Sequence, residues 1–293
     1  MTSPAPPKLA PLVAHGPSLQ RRLFDRGSTV ACYVAALIVI SPLALILYHV
    51  LRLGLPGMTA EFFFNLPKPV GETGGGVANA IVGTALMVLL GTGLSVPIGV
   101  GAGLFLAEHG NGRLGTLVRT TADVLSGVPS IVIGVAAYGL VVVPMGHFSG
   151  LAGGVALAII MLPTIVRSTE EVVRLVPRSY REAALALGAP RWRVIQQVVL
   201  PAAAPAVLTA VLLALARAAG ETAPLLFTAL GSRFWSLSLT QPMASLPVYI
   251  FDYARAPYDD WNRQAWSAAS VLLVLVTLVS ALVRFTVRRV PRR

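Results

Sequence analysis

Arg217 and Glu221 stand four residues apart in "ALARAAGETAPLLF", residues 214 to 227, within a run apolar and long enough to cross a membrane. A guanidinium is planar, permanently charged and presents a fork of donors suited to oxyanions. A carboxylate one helical turn away can pair with it or accept a proton from a ligand. A charge near the bilayer centre costs roughly 2.5 to 3.5 kcal/mol on insertion scales, so both groups must face protein or water rather than lipid. The spacing predicts that the two share one helix face. Counted from Ala202, Arg217 lies about 22 Å along a helix in a hydrocarbon core about 30 Å thick. Two readings stand. In one the pair is internal, each charge neutralising the other, although the acid-before-base order that favours such pairs is reversed here. Alternatively, Arg217 lines a path for an oxyanion. Pro224 removes the N–H that the Gly220 carbonyl would bond, so a kink is expected between Gly220 and Pro224. It serves either packing or a broken helix of the kind that lines transport paths.

The elements that must hold this pair follow from composition and charge. Of 293 residues, 55% are hydrophobic and 12% charged, about half the charge of an ordinary soluble domain. Six apolar segments are expected to span as helices: 29–51, 79–107, 121–143, 150–168, 202–230 and 266–287. Pro42, Pro97, Pro129 and Pro163 interrupt four of these, a pattern tolerated where neighbouring helices satisfy the freed backbone groups. With the N-terminus inside, the inner segments carry seventeen Lys and Arg against five in the outer ones, Arg217 apart. That bias predicts both termini in the cytoplasm. The fold class is therefore an all-α integral membrane protein of six transmembrane helices. Its parts are a cytoplasmic tail at 1–28, the first span, an outer loop at 52–78, a core at 79–287 with an outer loop at 231–265, and a basic cytoplasmic tail at 288–293. Aromatic clusters in both outer loops suit interfacial anchoring. The Pro-rich first dozen residues read as disordered. No small-x-small site follows the first apolar run, so a cleaved signal peptide is not expected. The net charge of +11 sits in short clusters between apolar runs, which excludes a nucleic-acid surface.

The longest inner segment, 170–201, predicts two short helices. Pro177 opens the first, Gly188 is suited to the left-handed position that ends it, and Pro190 starts a second that meets Pro201. The hairpin either lies on the bilayer surface or docks another protein, with the small Ala183–Ala184–Ala186 surface allowing close approach and Glu182 fixing register. In the third span, Ser126 and Ser130 share a face and serve as interhelical contacts or line a path. Asn79 and Thr84 are expected to make interhelical contacts rather than to bind substrate, and Asp123 to cap a helix.

"EAALALGAPRWRVIQQVVLP" resembles the EAA loop of ABC importer permeases at Glu182, Ala183, Ala184, Gly188, Leu200 and Pro201. "NAIVGTALMVLLGTGLSVPIGVGAGLFLAEHG", "SGVPSIVIGVAAYG" and "RAAGETAPLLFTALG" are similar to the permeases of phosphate importers. The last is PstA-like rather than PstC-like. The resemblance covers about residues 75 to 287. It implies an ABC type I importer permease fold and translocation of inorganic phosphate by alternating access, with Arg217, Glu221 and Thr222 on the path or its gate. It implies partners as well: a PstC-like second permease, two ATP-binding subunits that hold the ATP and magnesium and dock on the loop, and an external phosphate-binding protein. Glu221 then either closes the path by pairing with an arginine or accepts a hydrogen bond from the proton of hydrogen phosphate, which sulfate lacks.

His15, His49, His109 and His147 are scattered and Cys32 is the single cysteine, so no metal-ligand spacing exists and no cofactor is expected on the chain. No phosphate-binding loop followed by Lys-Ser or Lys-Thr occurs, and no intramembrane protease motif. The chain is thus expected to be a transport subunit and not an enzyme. Two alternatives remain: a sulfate or molybdate importer permease, and an ion-coupled carrier using Glu221 as its proton site.

Overall fold

The computed structural model describes residues 19–72 and 74–288, and the regular structure among them is helical. The tail 1–28 lies outside the described residues up to residue 18, and the basic tail lies outside them beyond Arg288. Helix α1, Leu19–Gly54, begins earlier than residue 29 and passes Pro42 unbroken. Its apolar side chains between Leu23 and Ile46 are exposed, as a helix facing lipid requires. The chain up to His49 forms one compact unit and Val50 onward another.

In the second unit, α2 (Ala60–Phe64) is capped by Thr59, whose hydroxyl accepts from the Phe62 N–H at 3.3 Å. Helices α3 (Ala78–His109) and α7 (Gly150–Leu175) form the most extensively packed pair. Their contact is built on missing side chains. A Cβ on Gly103 would come within 2.6 Å of both the Thr169 Cβ and the Val166 carbonyl oxygen, and one on Gly99 within 2.7 Å of Ile165. Small residues let two helices approach this closely where hydrophobic burial cannot drive them together. Pro97 and Pro163 sit inside these helices without ending them.

The expected third span is broken. Helix α4 (Arg113–Gly127) and helix α5 (Ser130–Ala137) meet at Val128–Pro129 with a bend of 108°, and α5 runs on through a π-helical turn, Tyr138–Val142, into α6 (Val143–Met145). Pro129 takes φ −56°, ψ 135° and has no N–H to continue α4, so the chain turns. The span thus starts at Arg113 and is not one helix over 121–143. Ser126 and Ser130 fall on opposite sides of the bend and do not share a helix face.

The hairpin is α8 (Arg178–Ala186) and α9 (Arg191–Val194), with Gly188 at φ +80° as its turn requires. Pro190 is one position earlier than expected, at the cap of α9. The second helix does not stop at Pro201. It passes through a π-helical turn, Ile195–Val199, into α10 (Leu200–Ala218). The wider turn precedes the proline, whose missing N–H falls in the first turn of the new helical segment. Helix α10 ends at Ala218, and α11 (Ala223–Thr228) begins with Pro224 in its first turn. Pro224 therefore does not kink a continuous helix. The fifth span is interrupted at 219–222, and Arg217 and Glu221 do not lie on one helix face.

Helix α12 (Leu246–Ala254) precedes α13 (Asp259–Arg288). Ser270 and Ser267 donate to the carbonyls of Val50 and Gly54 at 2.9 and 3.0 Å. Thr84 makes the expected interhelical contact, accepting from the Leu246 N–H of α12 at 2.8 Å, whereas Asn79 donates to the Ser232 carbonyl of the loop before α12 at 2.7 Å and so ties a helix to a loop. Among the described residues five helices are long and apolar enough to cross a membrane, six if α4 with α5–α6 counts as one bent span.

The two broken elements touch directly, since a Cβ on Gly134 of α5 would stand 2.6 Å from the Pro224 Cα of α11. Gly134→Val is expected to destabilise the chain by about 1–3 kcal/mol through overpacking. A lowered melting temperature of the detergent-purified chain would register this, with Gly139→Val, at a position open within 4 Å, as the reference.

Candidate functional site

Arg217 occupies the last turn of α10 with its side chain 65% exposed. Glu221 lies just past the helix end, 17% exposed, and their closest approach is a single contact of 3.8 Å between Arg217 Nε and Glu221 Oε1. That is a loose pair, well short of a hydrogen-bonded one.

The α4–α5 bend completes the site. A cavity of about 20 Å³, enough for one water-sized group, is lined by Ser126, Ser130, Thr164 and Arg217 with Pro163 and Ile133. The hydroxyl of Ser126 donates to the Asp123 carbonyl at 2.7 Å, which leaves its oxygen lone pairs open. The structure thus brings Arg217, Ser126 and Ser130 together and places Glu221 beside them. Thr222 caps α11 without a side-chain hydrogen bond to it, and Gly220 forms the turn, its N–H donating to the Arg217 carbonyl at 3.1 Å. One cation, two serine side chains and an adjacent carboxylate thus meet around a space that holds one water-sized group.

A second constellation was not legible as such in the sequence. Glu170, 3% exposed, accepts from Arg119 Nε at 2.7 Å and from Arg167 at 3.1 Å, and contacts Arg174 at 2.7 Å. Arg167 also makes a two-pronged contact with Asp123 at 2.8 Å for each prong. Asp123 is thus an ion-pair partner inside α4 and not a helix cap. Arg119 donates in addition to the carbonyls of Gly110 and Leu106 at 2.8 and 3.2 Å, closing the C-terminal end of α3. The spacing of Arg167, Glu170 and Arg174 was the available signal, since three and four residues apart they share a face of α7. The Arg119 contact joins residues 51 apart and carries no local trace.

The hairpin is fastened to the same end. Arg181 of α8 pairs with Glu108 of α3 at 2.6 Å and donates to the Val173 carbonyl of α7 at 2.9 Å. Glu182, Ala183 and Ala184 lie on α8, and Tyr180, Leu187 and Trp192 around them are exposed. A hairpin held on one side and bare and apolar on the other has the form of a docking surface. Among the described residues no cluster of His, Cys, Asp and Glu could hold a metal ion.

Residues 99–292 match the family of binding-protein-dependent transport system inner membrane components. The chain is 45% identical over 240 residues to the phosphate transport system permease protein PstA of Yersinia pestis, covering 82% of this chain and 81% of that one. It is 41% identical to PstA of Pasteurella multocida, covering 90% and 94%. Its fold is similar to a solved inward-facing conformation of the MetNI methionine ABC transporter, with a TM-score of 0.61 at 22% identity, covering 74% of this chain and 96% of that one. The chain is an integral membrane protein of the binding-protein-dependent permease family, and within it belongs to the PstA permeases.

Proposed function

We infer that the chain is the membrane-spanning permease subunit of an ATP-driven importer and that the ion it passes is inorganic phosphate. The observation that carries the reading is the cavity in which Arg217 meets Ser126 and Ser130 where two interrupted helices face each other, together with the phosphate permeases to which the chain is similar. In this reading both termini lie in the cytoplasm of a bacterial cell, and the hairpin receives an ATP-binding subunit through Glu182, Ala183, Ala184 and Gly188. Six helices do not enclose a path alone, so a PstC-like permease supplies the other wall and the second ATP-binding subunit. ATP and magnesium belong to those subunits, and an external binding protein delivers phosphate. Glu221 is then poised to accept a hydrogen bond from the proton of hydrogen phosphate or to draw Arg217 across the empty path.

The test is uptake of labelled phosphate in starved cells lacking their own copy. This chain is expected to restore uptake, with unlabelled phosphate competing and a tenfold excess of sulfate failing to compete. Competition by sulfate would keep the architecture and overturn the ion. Uptake that survives loss of the ATP-binding subunits would overturn the importer in favour of an ion-coupled carrier.

The hairpin contact gives a separate prediction. Arg181→Gln removes the tie from α8 to Glu108 and is expected to lower uptake roughly tenfold, since a charge-assisted contact of this kind is worth about 1.5–3 kcal/mol. ATP hydrolysis by the assembled complex should persist, so the ratio of phosphate moved to ATP consumed is the quantity to measure.

A further inference from the structure

At the opposite end of α3 from the hairpin, a cavity of about 560 Å³ opens between the 230–245 loop, α12 and the start of α13. Its lining includes Arg233, Arg255, Asp252, Ser245, Tyr253 and Trp261. Several of these groups lack the partners their chemistry calls for. Arg233 lies over the Trp261 ring at 5.1 Å and Arg255 over the Phe251 ring at 5.0 Å. Neither makes a salt bridge among the described residues.

The buried lining is incomplete in the same way. Ser245 is 1% exposed and precedes α12 at its cap position, yet its hydroxyl does not cap the helix and has no hydrogen-bond partner. Tyr253 is 4% exposed, held by rings on both sides, with Tyr249 at 3.9 Å and Trp261 at 4.3 Å, and its hydroxyl faces that of Tyr249. A buried hydroxyl without a partner is destabilising, so that of Ser245 marks a place where something else completes it. Burial pushes the Tyr253 phenol up from its ordinary value, which keeps it an O–H donor. The chain also holds Leu230 at φ +60°, next to Gly231 at φ +89°, to turn into this loop, a strained setting for a leucine and one that recurs beside ligand sites.

We propose that this cavity is a second anion site, on the outer face of the chain, which takes hydrogen phosphate between Arg233 and Arg255 with the Ser245 and Tyr253 hydroxyls as further donors. Two guanidiniums and one carboxylate leave a net positive charge for an anion. Asp252 gives the ion's own proton an acceptor, so hydrogen phosphate is preferred over sulfate. The cavity exceeds one ion severalfold, and the ion therefore sits there with part of its water. The identity of the ion rests on the phosphate reading above, whereas the site itself rests only on the groups named here.

The test uses the whole transport complex in lipid nanodiscs without the external binding protein, titrated with inorganic phosphate while tryptophan fluorescence is recorded. Trp261, beneath Arg233, is the reporter. The expected result is a saturable change that disappears in Trp261→Phe. Its midpoint should rise at least tenfold in both Arg233→Gln and Arg255→Gln. Sulfate should bind at least tenfold more weakly than phosphate, and Asp252→Asn should narrow that gap. Arg217→Gln should leave the midpoint in place even where it stops transport, which keeps a failure of this site distinct from a failure of the path. Equal midpoints in wild type and both arginine variants would overturn the proposal. So would a midpoint moved by Arg217→Gln alone, because the signal would then report the path. Equilibrium binding of labelled phosphate to Trp261→Phe checks the reporter: one site lost in the arginine variants supports the proposal, and no loss overturns it.

Discussion

Arg217→Gln is expected to cut the initial rate of phosphate uptake about a hundredfold, while the amount of chain in the membrane stays unchanged. Both halves of that expectation come from geometry. The side chain is 65% exposed and its one ionic contact is 3.8 Å long, so folding draws little from it; exposed pairs are worth at most about 1 kcal/mol. Transport, by contrast, loses the permanent positive charge that lines the cavity with Ser126 and Ser130. Removing a donor aimed at a passing charge is assigned roughly 2.7 kcal/mol, or about two powers of ten in rate. Arg217→Lys keeps the charge but not the planar fork and should fall between the two. The measurement is labelled-phosphate uptake at matched membrane abundance. Normal transport by Arg217→Gln would make the residue structural and remove it from the path.

The second large effect is on stability. Glu170→Ala removes the one carboxylate that Arg119, Arg167 and Arg174 share. The three guanidiniums left behind are 23–50% exposed and Arg167 keeps Asp123, so the loss is that of charge-assisted hydrogen bonds, about 2–3 kcal/mol. For a chain of this size that corresponds to a fall in melting temperature of roughly 5 °C, measurable as loss of the monodisperse peak when heated samples are run on a sizing column in detergent. Arg174→Ala is the contrast. Its side chain is half exposed and two other guanidiniums remain on Glu170, so its effect should stay within about 1 kcal/mol. Equal effects from the two variants would mean that Glu170 is not the hub that the distances suggest.

What could be read from the sequence was whatever is local and periodic. Long apolar runs gave the spans, because a helix must satisfy its own backbone in lipid. Gly188 between two short helical patterns gave the hairpin, because only glycine takes φ +80° freely. The prolines were less informative. Pro97, Pro163 and Pro129 look alike in sequence, yet only Pro129 breaks its helix. The difference lies in the neighbours: Pro97 and Pro163 belong to the close-packed α3–α7 pair, whereas the chain around Pro129 has room to turn through 108°. The same limit applied to Arg217 and Glu221. Their spacing suggested one helix face, but the helix ends between them. Contacts over long separations, such as Arg119 with Glu170, had no local signature at all.

The glycine contacts along α3 and α7 have a mechanical meaning. Where the backbone of one helix rests against side-chain carbons of another at less than the width of a methyl group, sliding one past the other forces atoms through each other. The pair therefore behaves as a stiff strut, about 45 Å long by the rise of α3. Arg181 bolts the hairpin to both members of the strut at one end, and the Thr84 contact with α12 sits toward the other. Compliance is left to the two interruptions, at 128–129 and 219–222, where no continuous hydrogen-bond ladder resists bending. A push on the hairpin is thus expected to arrive at the outer end undiminished, and the angle it opens to appear at the two joints flanking Arg217.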